Sequence, residues 1–495
     1  MGILVYVVIV SFTYALIRTT LSILGFGKPR NLPPGPTSWP IIGNLHLLGS
    51  QPHQSLAKLA RIHGPVMWLK LGQKKTLVIT SAAAAKEILQ KQDLSFSTSR
   101  NIPNALEAHN FNDYALSLLP IGTHWRLLRR MTVTNIFSDK SLEASQNMWD
   151  QKVKELIAFC QKACISNDYV DIGGVTFKTL QNLISNTLFS KDLIDLYENS
   201  SNEFREVVGN IMVDAVKPNL VDYFPVFKKI DPQGIKRRMT RHFKKILSIL
   251  DELIEERLAM GTSVHNDVLE VCLKINQENP EEFSRSRIKF FILDMFIAGT
   301  DTTALTVEWA MSELLRNPYV MAKSKEELEQ VIGKGKNIKD HDLVKLPYLS
   351  CIVKETLRLH PPAPLLIPRN VENQVNLFGY IIPKGTQVLV NAWAIGKDPS
   401  IWEDSKEFKP ERFLTSPIDV RGHHFELIPF GAGRRTCPGW PLALRTIPII
   451  LGSLINNFDW NLDVNVQPKD LDMTERFGIN LRKANPLCVV PIPLN

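Results

Sequence analysis

Phe430-Gly-Ala-Gly433-Arg-Arg435-Thr-Cys437-Pro-Gly439 sets a lone cysteine in a loop of glycines and arginines, just ahead of an apolar helical stretch. A thiolate presented this way can be the axial ligand of a haem iron, and such a ligand points to oxygen activation. Gly433 and Gly439 would supply tight turns where side chains clash with a flat macrocycle. Phe430 would pack beside the sulfur, and Arg435 would reach a haem propionate. A helix opening at Pro438 would aim its first N–H groups near the sulfur and favour the ionised form. The bland alternative is a structural cysteine in a turn, the usual fate of a lone Cys. Five fixed residue types at this spacing weigh against it.

A second stretch, Phe290 to Ala304, places Ala298-Gly299-Thr300-Asp301-Thr302-Thr303 inside a helical pattern that ends before Pro318. These are poor mid-helix residues, costing tenths of a kcal/mol up to about 1 for Gly. One reading is a groove at Ala298 and Gly299 that admits a diatomic ligand. Thr302 would then hydrogen-bond the bound oxygen, and Asp301 would relay the protons that O–O cleavage needs. The other reading is a helix break, with Asp-Thr-Thr capping a new helix. The residues alone leave both open.

The pattern Phe-x-x-Gly-x-Arg-x-Cys-x-Gly resembles the signature of the cytochrome P-450 family of haem-thiolate monooxygenases, and the Ala-Gly-x-Asp-Thr-Thr run matches a second family pattern. The resemblance implies haem b with an axial thiolate from Cys437, and Asp301 and Thr302 as catalytic residues. Electrons would come from NADPH only indirectly, through NADPH-cytochrome reductase, and one atom of O2 would enter an apolar small molecule. In Trp125-Arg-Leu-Leu-Arg129 it gives both ends to haem propionates, which suit an Arg fork and an indole N–H; Arg369 is a further candidate. Glu355-Thr-Leu-Arg358 means little by spacing alone, since Glu282 and Arg285 share it. Pro410-Glu-Arg412-Phe413 resembles the segment that brings a second arginine to that carboxylate, as a structural cluster behind the Cys loop. Arg126, Arg130 and Arg434 could face an acidic flavoprotein, or be ordinary surface charge.

Pro429 to Gly439, Leu451 to Trp460 and Glu475-Arg-Phe-Gly-Ile479 are similar to plant enzymes of the geraniol-hydroxylase clade. That likeness implies a terpenoid, iridoid or alkaloid substrate; Trp440 departs from the smaller aliphatic residue expected there. By position, the substrate contacts would be Phe296, Ile297 and Ala298, then Leu365 and Leu366, then Phe477, Gly478 and Ile479, with residues 101–119 as a covering loop. Two rival readings are a haem-thiolate isomerase or dehydratase working without O2, and a non-catalytic haem protein. The intact Asp301–Thr302 pair argues against both.

Positioning these groups falls to a mainly α chain with a minor β region. Helical patterns run over 53–63, 83–91, 124–136, 140–163, 174–187, 201–215, 236–260, 286–316, 319–332, 347–359 and 438–457. Strand-like pieces occur at 66–71, 76–80 and 375–390. Across 495 residues, 44% apolar and 22% charged, no repeat or long linker divides the chain. A single large domain is expected, and the resemblance implies the cytochrome P-450 fold. The net charge of +8 comes without any nucleic-acid module, so no nucleic acid is expected as partner. Six cysteines in so long a chain make no disulfide scaffold, and Cys160 and Cys164 read as buried thiols. Asn199-Ser-Ser reads as a chance sequon.

Ile3 to Ile17 is uncharged and apolar, and residues 2–26 as a helix would span about 37 Å, enough for a bilayer. Lys28 and Arg30 follow, which puts the C-terminal side in the cytosol. A cleaved signal peptide would need a basic start and a small-residue cleavage site. The expected order is a transmembrane anchor over 1–27, a basic and Pro-rich hinge over 28–52, and a catalytic domain over 53–495. The protein would cross the endoplasmic reticulum membrane once, in contact with membrane lipid.

Overall fold

Arg285–Arg316 forms one unbroken helix of 32 residues at the centre of a computed structural model. That model describes residue 13 and residues 31–494, apart from 101, 198–202, 261–266 and 465. The expected anchor, residue 13 aside, and the Asn199 sequon lie outside the described residues. The poor helix formers do not break the central helix, and the threonine hydroxyls bond back along it. Thr300, Thr302 and Thr306 each donate Oγ1–H to the carbonyl four residues earlier, at 3.1, 3.0 and 2.9 Å. The helix-break alternative therefore falls. This helix is also long and apolar enough to cross a membrane, but it is mostly buried within the protein.

Helices Ile172–Phe189, Val268–Glu278, Pro318–Val331, Pro347–Leu359 and Trp440–Asn457 pack around it. The closest approach explains Gly299. A Cβ there would sit 3.1 Å from Ile184 Cδ1, so the glycine lets Ile172–Phe189 press against the central helix. Helix Ile235–Met260 buries a stripe of Met239, Phe243, Ile246, Leu250 and Ile254, the spacing of an amphipathic helix.

The sheet content is small. Val66–Leu71 and Lys74–Ile79 form an antiparallel hairpin through Gly72, and Gln387–Val390 adds in parallel to the second strand. Arg369–Asn370 and Ser99–Arg100 complete that five-stranded sheet. The expected strand 375–390 divides into the hairpin Val375–Leu377/Tyr380–Ile382 and the sheet strand Gln387–Val390. The expected helix 140–163 is two helices, Asp139–Ala144 and Gln146–Ser166. Those expected at 83–91 and 124–136 end in π-helical turns, which the apolar periodicity does not distinguish. Val268–Glu278 was not expected; its signal was Asp267, whose side chain caps the Glu270 N–H.

Residues 104–119 are more than a loop. Asn104–Asp113 makes 3-10 turns, and Ala105, Ala108, Phe111, Ala115 and Leu116 sit in the main core. That core runs from Ala105 to Val489, so one large, mainly α domain carries every candidate residue.

Candidate active site

The cysteine loop is pinned by its own backbone: the Cys437 N–H donates to the Phe430 carbonyl at 2.9 Å. Gly433 has φ +72, and a Cβ there would lie 1.9 Å from the Leu89 carbonyl oxygen. The Leu89 backbone by itself demands glycine there. Gly439, with φ −87 and only ordinary contacts around an added Cβ, meets no such demand. The helix opens at Trp440 with Gly439 as its N-cap, not at Pro438.

Two consequences for the sulfur follow. Burial pushes the Cys437 thiol above its ordinary value, while the Gly439 N–H, Arg129 and the Trp440 N–H pull the other way without prevailing. The N–H groups at the helix start thus favour the ionised form, as expected, without outweighing burial.

Four arginines gather beside this loop. Arg129, on helix Thr123–Met131, donates Nη1–H to the Thr436 carbonyl at 2.7 Å. Arg435 is buried; it donates to the Ser97 and Thr98 carbonyls at 2.8 and 3.1 Å, and its guanidinium lies 5.3 Å from the Trp125 ring centroid. Arg369 reaches Asp93 and the Ala432 carbonyl, both at 3.3 Å. Arg100, paired with Arg369 across two short strands, donates to the Ile367 carbonyl at 3.0 Å. Sequence reasoning missed Arg100. Burial, and then mutual repulsion with Arg369, lowers Arg435 to about 10; Arg100 is lowered by burial, Arg369 and Arg435, with Asp93 opposing. Arg100 Nε and Arg435 Nη1 are buried without an acceptor. Clustered cations with unmet donors fit a group bearing carboxylates, as haem b does through its propionates. Arg434 is exposed and pairs with Asp93 at 3.1 Å, and Arg126 and Arg130 are exposed too.

On the central helix, Ala298 is exposed and Thr302 half-buried, one turn apart in a mostly buried element. Asp301 is buried on a different face; it accepts from Asn480 Nδ2 at 2.5 Å and from Arg482 Nη2 at 2.7 Å. The Arg482 side chain is 43% exposed, so the carboxylate is one side chain from solvent. Neither partner was expected.

The expected substrate contacts separate. Phe296 is fully buried against Phe204, which removes it from the set. Ile297 is half-buried against the core, and Leu365 and Leu366 pack on smaller apolar clusters. Phe477 stacks on His53 with centroids 5.4 Å apart. Gly478 is half-buried, and Ile479 is exposed.

Behind the site, Glu355, Arg358 and Arg412 form the expected cluster, with Arg358 Nε and Arg412 Nε 2.7 and 2.9 Å from the carboxylate. A second buried cluster surrounds Glu475, which accepts from His53, Gln54 and Trp393 at 2.9, 2.8 and 3.0 Å. Burial would raise its carboxyl, but His360, His53 and Lys397 outweigh it and hold the group well below the usual range. A carboxyl so depressed stabilises the fold above its unfolded pKa of about 4.3, and that stability fades as pH falls below it. Glu475→Gln is expected to lower the thermal midpoint at neutral pH and to flatten its decline below about pH 4.3. Acid melting curves that run parallel to those of the unaltered protein would refute this.

With this geometry in place, comparison with known proteins is direct. The family model described as Cytochrome P450 matches residues 33–488. Over 490 residues the chain is 63% identical to the 7-ethoxycoumarin O-deethylase of Helianthus tuberosus, covering 99% of this chain and 100% of that one. It is 57% identical over 469 residues to the geraniol 8-hydroxylases of Swertia mussotii and Catharanthus roseus, covering 94% of this chain and 94% and 95% of theirs.

Proposed function

We propose a substrate class for a chain that belongs to the cytochrome P450 family: a small, largely apolar isoprenoid alcohol, hydroxylated at carbon. Membership makes the protein a haem-thiolate monooxygenase that uses O2 and reductase-supplied electrons. The isoprenoid reading is supported by two relatives named for geraniol at 57% identity over almost the whole chain. A third is named for 7-ethoxycoumarin, and it supports an apolar site open to more than one skeleton.

The observation that carries the reading is the uncovered Ala298–Thr302 step on the buried central helix. Haem, when bound, supplies the iron at which O2 is activated. Cys437 would hold that iron, and Arg100, Arg129, Arg369, Arg435 and Trp125 would hold the propionates. Thr302 keeps its hydroxyl at the open face, anchored to the Ala298 carbonyl. Asp301 connects that region to solvent through Arg482. Ala298 leaves room for an apolar substrate and excludes water once it is filled. Lys28 and Arg30 behind the apolar N-terminal run favour a single-pass anchor in the endoplasmic reticulum membrane, with the catalytic domain and the NADPH-cytochrome reductase on the cytosolic side.

Titration of the haem-loaded protein with geraniol should perturb the haem absorbance, and NADPH with reductase should then yield a hydroxylated product. Failure to bind any monoterpenoid alcohol would overturn the substrate reading. Thr302→Ala is expected to keep the haem spectrum while diverting electrons from product to peroxide; unchanged coupling would remove Thr302 from the mechanism.

A further inference from the structure

The central helix carries Phe290, Asp294, Ala298 and Thr302 at four-residue intervals, hence along one face. The segment 104–119 covers the first two positions. Tyr114 stacks on Phe290 with ring centroids 5.0 Å apart and planes within 9°. Ser117 donates its N–H to Asp294 Oδ2 at 2.9 Å and its Oγ–H to Oδ1 at 2.7 Å. Of the next two positions, Ala298 is exposed and Thr302 half-buried. The roof is therefore fixed four residues, about 6 Å, before Ala298 and eight residues, about 12 Å, before Thr302.

Asp294 is an unusual choice for that contact. It is buried, and among the described residues no Lys, Arg or His forms an ion pair with it. Burial pushes its carboxyl up, with the Ser117 hydroxyl and the Ser117 and Leu116 amides opposing. An apolar side chain at this position would avoid the desolvation cost entirely. What the carboxyl contributes is a tether. The segment needs one, because His109 and Asn110 adopt consecutive left-handed conformations, φ +51 and +58, that interrupt its helical turns. Its far end is held by Phe111 stacked on Phe243 and by His109 at the Thr240 carbonyl. Asp294 holds the near end.

We propose that Asp294 is a positioning residue for the substrate: by tying Leu116–Ser117 to the central helix it sets the height of the space above Ala298 and Thr302, and so which carbon of an isoprenoid chain stands beside Thr302. This rests on the substrate reading above.

The test uses the full haem-loaded chain. Asp294→Ala is expected to leave the reduced-CO spectrum unchanged and to raise amide hydrogen exchange over Leu116–Leu119 by about tenfold. Geraniol should bind about tenfold more weakly, and hydroxylation should spread over more than one carbon. Asp294→Asn keeps one acceptor for the Ser117 amide and should fall between; Ser117→Ala keeps the backbone bond and should be mildest. These two variants carry the test if Asp294→Ala does not fold. Unchanged exchange in Asp294→Asn and Ser117→Ala overturns the tether. Faster exchange with an unaltered product distribution overturns the positioning role. An unaltered protein that binds no monoterpenoid sinks the substrate reading, and the substrate half of this proposal with it, whatever the exchange shows.

Discussion

Serine at position 437 is expected to give a folded protein without the red-shifted reduced-CO band that a thiolate ligand confers, and without monooxygenase activity. The loop itself should persist. Its closing bond, from the Cys437 N–H to the Phe430 carbonyl, is a backbone bond, and the demands at Gly433 come from Leu89. What disappears is the soft anion. The protein already raises the thiol by burial, against the opposing pull of Gly439, Arg129 and Trp440. Only a group whose proton is readily displaced can serve as the ligand there. A serine hydroxyl has a far higher pKa than a thiol, and no stronger cationic environment compensates for it. Circular dichroism should match the unaltered protein while the CO-difference spectrum loses the thiolate band. Retention of that band in Cys437→Ser would mean that another side chain holds the iron.

The sulfur loop was legible because its chemistry is local: only six residues lie between Phe430 and Cys437, so one stretch of sequence holds the whole loop. The central helix was legible too, since an apolar face over 32 residues outweighs a few poor helix formers. Groups that meet across the chain were harder to see. Asp301 and Arg482 are 181 positions apart. Arg100 joins Arg369 through strands only two residues long, too short to leave a periodic signal. The turn expected at Gly439 is present, but its φ of −87 is open to any residue, which sequence alone does not reveal. Phe296 misled because neighbouring helix positions point about 100° apart. The open face belongs to Ala298, and Phe296 lies in the core on Phe204. Motif order therefore located the site, whereas the supporting partners required the folded topology.

Arg358→Ala is expected to yield little or no folded haem protein. The side chain is fully buried, and each of its N–H groups has an acceptor. Nε and Nη2 bond Glu355 at 2.7 and 2.8 Å, Nη2 also bonds the Glu407 carbonyl at 3.0 Å, and Nη1 bonds the Gly396 and Ser405 carbonyls at 2.6 and 2.7 Å. One guanidinium thus staples helix Pro347–Leu359 to the irregular chain between Gly396 and Glu407, on the approach to the cysteine loop. Alanine would strand three carbonyls and leave the buried Glu355 with Arg412 and the Lys409 N–H as remaining donors. Removing one member of a buried ion pair costs about 3–5 kcal/mol, a large share of the roughly 5–15 kcal/mol that holds a domain folded. Arg358→Lys should fail nearly as badly, because an ammonium has three N–H donors and cannot reproduce a planar fork. Arg412→Ala should cost less, since its side chain is partly exposed and Arg358 still neutralises the carboxylate. Urea unfolding followed by circular dichroism should therefore rank Arg412→Ala well above Arg358→Lys and Arg358→Ala. A soluble Arg358→Ala protein with an unshifted midpoint would show that the cluster does not hold the fold together.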